Sequence, residues 1–139
     1  MNFNLKGGVL LLQDPLVHGS PVRLSGVCDG TWEVHVFQDM DSGLPAVLQV
    51  MLTETDENAL QQKEYPNGIP ADSGTISVTG DPAPADLADQ AKSLTRSSPF
   101  YGTFSGGCVT RSGEGDGVYP ITLYCSNEGK IAGVEIAFQ

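Results

Sequence analysis

The spacing of the apolar residues is the sequence feature that most constrains the fold. Apolar residues recur at every second position or in short runs between glycine, proline, asparagine and aspartate, and seldom at helical spacing. The segment Thr31–Gln38 shows the alternation well, because Trp32, Val34 and Val36 lie on one face and Glu33 and His35 on the other. The pattern predicts a mainly β protein, an antiparallel sandwich or open barrel. A length of 139 residues fits a single domain, 1–139.

Turn residues divide the chain into predicted strands. Asp29-Gly30 is typical of a tight hairpin turn, and Ser126–Gly129 predicts a four-residue hairpin loop between the last two strands. Asp14-Pro15 ends the first strand, because proline lacks the N–H that a strand pairing needs. The predicted strands are Val9–Gln13, Pro21–Cys28, Thr31–Gln38, Pro45–Thr53, Gly74–Thr79, Phe100–Phe104, Cys108–Arg111, Tyr119–Cys125 and Lys130–Phe138.

One helix is predicted over Ala83–Leu94, packed on the sheet. Asp81 is its expected cap, and the prolines that follow suit a first helical turn. A shorter helical turn is predicted within Thr55–Glu64, with Thr55 as its cap. The segment Tyr65–Ala71 contains two prolines and an Asn-Gly pair, which predict a loop.

Several protein classes are excluded by composition. The longest apolar run is strand-sized, so the sequence predicts no membrane span. Residues 1–8 do not resemble a secretory signal, which favours a cytoplasmic location. Cys28, Cys108 and Cys125 are widely spaced and form no CxxC pair, so we expect buried, reduced thiols.

The charge is concentrated in one part of the sequence. The net charge is −10, and the stretch from Asp29 to Asp89 contains twelve acidic residues and only one basic residue, Lys63. Such a surface repels nucleic acid and anionic membranes and favours a basic protein partner. The alternative is that the acidic surface only keeps the protein soluble. The predicted partner-binding residues are Asp39, Asp41, Glu54, Asp56 and Glu57.

A glycine-rich loop, Ser112–Gly117, places oxygen-bearing side chains at alternate positions, as calcium loops do. Its twelfth position is Leu123, where an EF-hand has glutamate, so an EF-hand is excluded. A looser Ca²⁺ or Mg²⁺ site at Glu114–Gly117 stays an alternative to a plain strand connection. Neither His18 nor His35 lies in a recognisable catalytic motif, and no cofactor is predicted.

The second half of the chain contains several glycine-rich turns in a fixed order. A turn at Asp72-Ser73-Gly74 precedes Gly106–Gly113, then Gly115-Asp116-Gly117, Tyr119-Pro120 and a terminal apolar strand. Residues 70–138 thereby resemble a group of small uncharacterised bacterial proteins. The resemblance implies a bacterial origin and a common structural centre, but no reaction. The residues of that centre are Asp72, Ser73, Gly74, Asp116, Gly117 and Tyr119.

Together these observations favour a non-enzymatic acidic protein-binding domain. Its most concrete form is an immunity-type inhibitor that covers a basic bacterial toxin or nuclease. Two alternatives remain open, namely a module that binds a small ligand or a divalent metal through Asp72 and Glu114–Gly117, and an enzyme with an unrecognised site.

Overall fold

Two antiparallel sheets form the fold, and the computed structural model describes residues 1–113 and 115–138. The six-stranded sheet A has, in spatial order, β1 (Asn2–Leu5), β4 (Gly30–Gln38), β5 (Pro45–Leu52), β11 (Ile131–Ala137), β10 (Gly117–Cys125) and β6 (Gln61–Ala71). The five-stranded sheet B has β3 (Val22–Ser25), β2 (Val9–Gln13), β7 (Thr75–Thr79), β9 (Gly107–Arg111) and β8 (Tyr101–Phe104).

A continuous apolar core lies between the two sheets. The predicted alternation places one face of each strand in this core, and its largest side chains are almost completely shielded from solvent. Burying each of them contributes about 1.5–3 kcal/mol. Sheet A supplies Trp32, Leu48, Ile121 and Ile136, and sheet B supplies Leu10, Leu12, Ile76 and Val78. The prediction of a mainly β sandwich is confirmed.

The hairpin predicted between the last two strands is confirmed. β10 and β11 pair antiparallel, with Ile121 opposite Ile136. The N–H of Ser126 donates to the carbonyl of Lys130 at 2.8 Å, and the N–H of Gly129 donates to Ser126 at 2.9 Å. Gly129 has a φ of +81°, a conformation that glycine adopts without strain.

The hairpin predicted at Asp29-Gly30 is wrong, because β3 and β4 belong to different sheets. β4 lies instead between β1 and β5, and β1 was not among the predicted strands. The signal for β1 was present but short, since Phe3 and Leu5 are buried and alternate with the asparagines. Asp29 has another role, as its carboxylate accepts a hydrogen bond from Gly8 N–H at 2.8 Å.

The loop predicted over Tyr65–Ala71 is wrong, because these residues belong to β6. Its prolines are tolerated because β6 is an edge strand, where one side of the backbone has no partner strand. The Asn-Gly pair forms a bulge opposite Tyr119–Ile121. The helical turn predicted within Thr55–Glu64 is reduced to a 3₁₀ turn, Glu57–Ala59, and its cap is Asp56 in place of Thr55.

Helix α1 (Leu87–Thr95) packs on sheet B, against β7, β8 and β9. The predicted start at Ala83 is wrong, because the following proline disfavours helical geometry at that residue. Asp81 forms an ion pair with Arg23 and does not cap the helix. In the part of the chain that the structure describes, no helix has the length and apolar character needed to cross a membrane.

Candidate functional site

The two loops of the predicted structural centre meet at Gly74. The carbonyl of Gly74 accepts a hydrogen bond from Ser112 N–H at 2.8 Å, and its own N–H donates to Ala71 at 3.3 Å. Gly74 has a φ of +74°, and a Cβ added there would lie 3.3 Å from Cα of Gly115. Only glycine fits this conformation and this close backbone approach without strain.

Tyr119 contacts the same centre through its hydroxyl and its ring. Its hydroxyl donates to the carbonyl of Gly115 at 2.6 Å, and the hydroxyl of Ser112 donates to the same carbonyl. The ring of Tyr119 packs edge-on against Phe138, with centroids 5.1 Å apart. The polar atoms of this cluster are therefore used to fix the loops, which gives the cluster a structural role.

The described acidic residues of these loops do not assemble a metal site. Asp72 and Asp116 are both exposed, and so is Gly117. Glu114, which belonged to the predicted metal loop, lies outside the described residues. Across residues 1–113 and 115–138, no group of three His, Cys, Asp or Glu side chains could hold a metal ion.

A carboxylate that was not among the predicted site residues lies beside this centre. Asp14 is nearly buried, and its carboxylate accepts hydrogen bonds from the N–H and the hydroxyl of Ser73 at 2.6 and 2.7 Å and from Leu16 N–H at 2.9 Å. Asp14 and His18 both line a cavity of about 60 Å³ and a second, more open one of about 230 Å³. Among the described residues, no hydrogen bond joins His18 to Asp14 or Ser73, so the three do not form a catalytic triad.

Asp14→Ala is expected to lower the free energy of unfolding by about 3 kcal/mol, because three hydrogen-bond donors lose a charged acceptor. Ser73→Ala is the matched control and should cost about 1 kcal/mol, since it removes one donor only. Urea unfolding monitored by the fluorescence of Trp32 measures both. Ser73 lies in the connection from β6 of sheet A to β7 of sheet B. Equal losses in the two variants would show that the Asp14 carboxylate does not hold this connection in place.

The predicted partner-binding acids are divided between the two ends of sheet A. Asp39 and Asp41 lie in the turn between β4 and β5, and the Asp39 carboxylate accepts hydrogen bonds from Asp41 N–H and Ser42 N–H at 2.7 and 3.1 Å. Glu54, Asp56 and Glu57 follow the opposite end of β5, which is about 25 Å long. One small partner surface cannot easily contact all five.

An apolar row crosses the outer face of sheet A at the end that carries Asp39 and Asp41. Phe37 lies opposite Val47, and Val47 lies opposite Ala137. The pairing of Ile121 with Ile136 places Pro120 next in the same row. Side chains in such a row are about 5 Å apart, so they form one continuous surface. Helix α1 packs on the other sheet, and none of the described helices covers this face.

Exposed apolar side chains extend this row. Phe37 is 54 % exposed, Met40 in the adjoining turn is 99 % exposed, and Val118 on β10 is 66 % exposed. Asp116 lies just before β10 at the same end of the sheet. We call this surface the hairpin-end patch, and its members are Phe37, Met40, Val47, Val118, Pro120 and Ala137, with Asp39, Asp41 and Asp116 at its rim.

Beyond this patch, the outer face of sheet A carries a hydrogen-bonded polar group, and the apolar Met51 on the same face is buried over Gly133. The Gln49 side chain donates to Glu135 at 3.3 Å, and the Tyr124 hydroxyl donates to the same carboxylate at 3.4 Å. Burial, and secondarily the negative charge of Glu135, raises the pKa of Tyr124 above its ordinary value. The apolar surface is thus confined to the end of the sheet near Phe37.

The three cysteines are free thiols, and they differ in accessibility. Cys108 is buried, whereas Cys28 and Cys125 are half-buried. Burial raises the pKa of Cys108 from 9 to about 12, and the hydrogen bond from the Val78 backbone lowers it only in part. A thiol with so high a pKa is not a nucleophile at neutral pH.

Comparison with protein-family models, with curated proteins and with solved structures gave no match to this chain. Function must therefore be inferred from the chain's own surface.

Proposed function

We propose that this protein is a non-enzymatic protein-binding domain and that the hairpin-end patch contacts a basic partner. The observation that carries the proposal is the position of Phe37, Met40 and Val118 at one end of one uncovered sheet face. Contiguous exposed apolar surface with a polar rim is typical of protein interfaces. Large apolar side chains at the centre of such a surface supply most of the binding energy.

The acidic rim indicates the charge of the partner. Asp41 and Asp116 are exposed at the border of the patch, and the whole chain carries a net charge of −10. A field of this sign accelerates association with a basic surface and repels nucleic acid. In its most concrete form, the domain is a cytoplasmic immunity-type inhibitor of a basic bacterial toxin or nuclease.

The two other functions have less support. A metal-binding module would need clustered ligands, and the described residues provide no such cluster. An enzyme would need a nucleophile beside a base, whereas the hydroxyl of Ser73 is bonded to a carboxylate without an imidazole. Neither alternative explains why an apolar row is left uncovered.

The proposal predicts that Phe37→Ser combined with Met40→Ser weakens binding at least about tenfold, because the variant loses two apolar anchors. The partner is first captured from lysate of the source cell and identified by mass, and its affinity for each purified variant is then measured by calorimetry. Val17→Ser is the matched control, since Val17 is exposed but lies outside the patch. Equal affinity for the double variant and the wild type would refute the assignment.

A pair of charge variants distinguishes the two ends of sheet A. Asp41→Asn with Asp116→Asn removes two charges beside the patch, and Glu54→Gln with Glu57→Gln removes two at the opposite end. Only the first pair should slow association and reduce its dependence on salt. If the second pair alone has this effect, the partner binds the other end.

A further inference from the structure

One open cleft borders the free edge of sheet A. It has a volume of about 1130 Å³ and runs along β1, with the segment Gly80–Ala85 and the turn at Thr103–Gly106 as its other walls. Among the described strands β1 pairs only with β4, so its second edge faces away from the sheet. β1 pairs with the first residues of β4, whereas Phe37 of the hairpin-end patch lies near the last. The cleft and the hairpin-end patch are therefore separate surfaces.

The register of β1 determines which backbone groups are unpaired. The carbonyl of Met1 accepts a hydrogen bond from Val34 N–H at 2.9 Å. Antiparallel pairs alternate, so residues 1, 3 and 5 exchange hydrogen bonds with β4. The N–H and C=O groups of Asn2 and Asn4 therefore point away from β4. Among the described residues they have no backbone partner.

The opposite wall of the cleft is largely apolar. Pro82, Ala83, Pro84 and Ala85 follow one another along it, and the side chain of Phe104 is half-buried at its end. The two charged residues in the walls differ in their environment, because Asp81 is paired with Arg23 whereas Lys6 is exposed. The cleft thus offers strand-edge hydrogen bonds on one side, apolar contacts on the other and a positive charge at the end of β1.

We infer that this cleft binds an extended peptide segment of another protein, which adds to β1 as a further strand of sheet A. Unpaired N–H and C=O groups at alternate residues are complementary to an extended backbone and to little else. The segment has apolar side chains at alternate positions, which face the Pro82–Ala85 wall. It carries a carboxylate that lies beside Lys6.

The other long edge of sheet A is protected against such pairing. β6 contains Pro66 and Pro70, which lack an N–H, together with Lys63 and a bulge at Asn67. Prolines, charges and bulges are the usual devices that prevent strand addition at an edge. β1 has no proline and no bulge in its pairing with β4.

The test is an NMR titration with a synthetic peptide, acetyl-Val-Thr-Val-Thr-Val-Glu-amide, at up to about 1 mM. We expect the amide resonances of Asn2 and Asn4 to shift and their hydrogen exchange to slow. The same peptide N-methylated at alternate residues should produce neither change, because it lacks the backbone donors. Replacing its glutamate with lysine should weaken binding severalfold.

Asn4→Pro removes the outward N–H and keeps the hydrogen bonds between β1 and β4, and it should abolish peptide binding. Asn4→Ala is the matched control, since it loses the same side chain, including its bond from Thr31, but keeps the N–H. If Asn4→Pro does not fold, the N-methylated peptide decides the question.

Unchanged Asn2 and Asn4 amides at saturating peptide would overturn the inference. Protection that appears without peptide and rises with protein concentration would also overturn it, because the occupant would then be a second copy of the chain.

Discussion

Gly68→Ala is expected to lower the free energy of unfolding by about 3 kcal/mol or more. Gly68 lies in the bulge of β6 with a φ of +61°, a conformation that alanine adopts with strain. A Cβ added there would also lie 2.5 Å from the carbonyl oxygen of Tyr119. Because that oxygen belongs to the backbone of a neighbouring strand, relieving the clash requires the two strands to separate. Urea unfolding at pH 7 measures the loss.

Gly129→Ala separates the two causes of this loss. Gly129 has a φ of +81°, but no atom lies within 4 Å of the position that a Cβ would occupy. Its replacement should therefore cost only the conformational strain, about 1 kcal/mol. If the two variants lose equal stability, the close approach of β6 to Tyr119 has no energetic consequence.

Between pH 9 and pH 12 the free energy of unfolding should fall by about 3 kcal/mol because of Cys108 alone. Burial raises the pKa of this thiol to about 12, whereas the thiol of the unfolded chain ionises near 9. The unfolded state therefore releases its proton first, and the folded state loses relative stability as the pH rises. Below pH 9 both states keep the proton, so the contribution is constant there.

The measurement compares the pH dependence of unfolding in the wild type and in Cys108→Ala. Each is referred to its own value at pH 8, so that the cost of the substitution itself cancels. Cys28→Ala is the control, since Cys28 is half-buried and free. It should keep the wild-type slope, including the part that Tyr124 adds above pH 10. A wild-type slope in Cys108→Ala would mean that the thiol is not shielded from water.

Local patterns predicted those parts of the fold in which the chain pairs with its immediate neighbour. The segment Val9–Gln13 is a strand with the predicted bounds, and the hairpin of β10 and β11 follows from its turn residues. Errors arose where pairing is long-range. Asp29-Gly30 is a good hairpin turn by composition, yet the chain passes there from one sheet to the other.

The prolines of β6 show a second limit. They indicate a loop by local rules, and they are permitted in a strand only because that strand lies at the edge of sheet A. Whether a strand is central or at an edge depends on the whole topology. Sequence periodicity alone therefore could not distinguish this strand from a loop.

The candidate surface was predictable only in part. Local charge identified Asp39 and Asp41, but the same criterion also selected Glu54, which lies at the far end of β5. The apolar row was not predicted, because Phe37 and Ala137 are a hundred residues apart and come into one row, on either side of Val47, only through the register of β4, β5 and β11. From the sequence, Asp14 was interpreted only as the end of a strand, because its hydrogen bond from Ser73 is also long-range.

The position of β11 in sheet A has a consequence for synthesis of the protein. β11 lies between β5 and β10, although it leaves the ribosome after both of them. Until residues 131–137 have emerged, sheet A lacks the strand that joins β1, β4 and β5 to β10 and β6. The nascent chain thus exposes two inner strand edges that the finished molecule does not have. Completion of sheet A therefore waits until residues 131–137 have been synthesised.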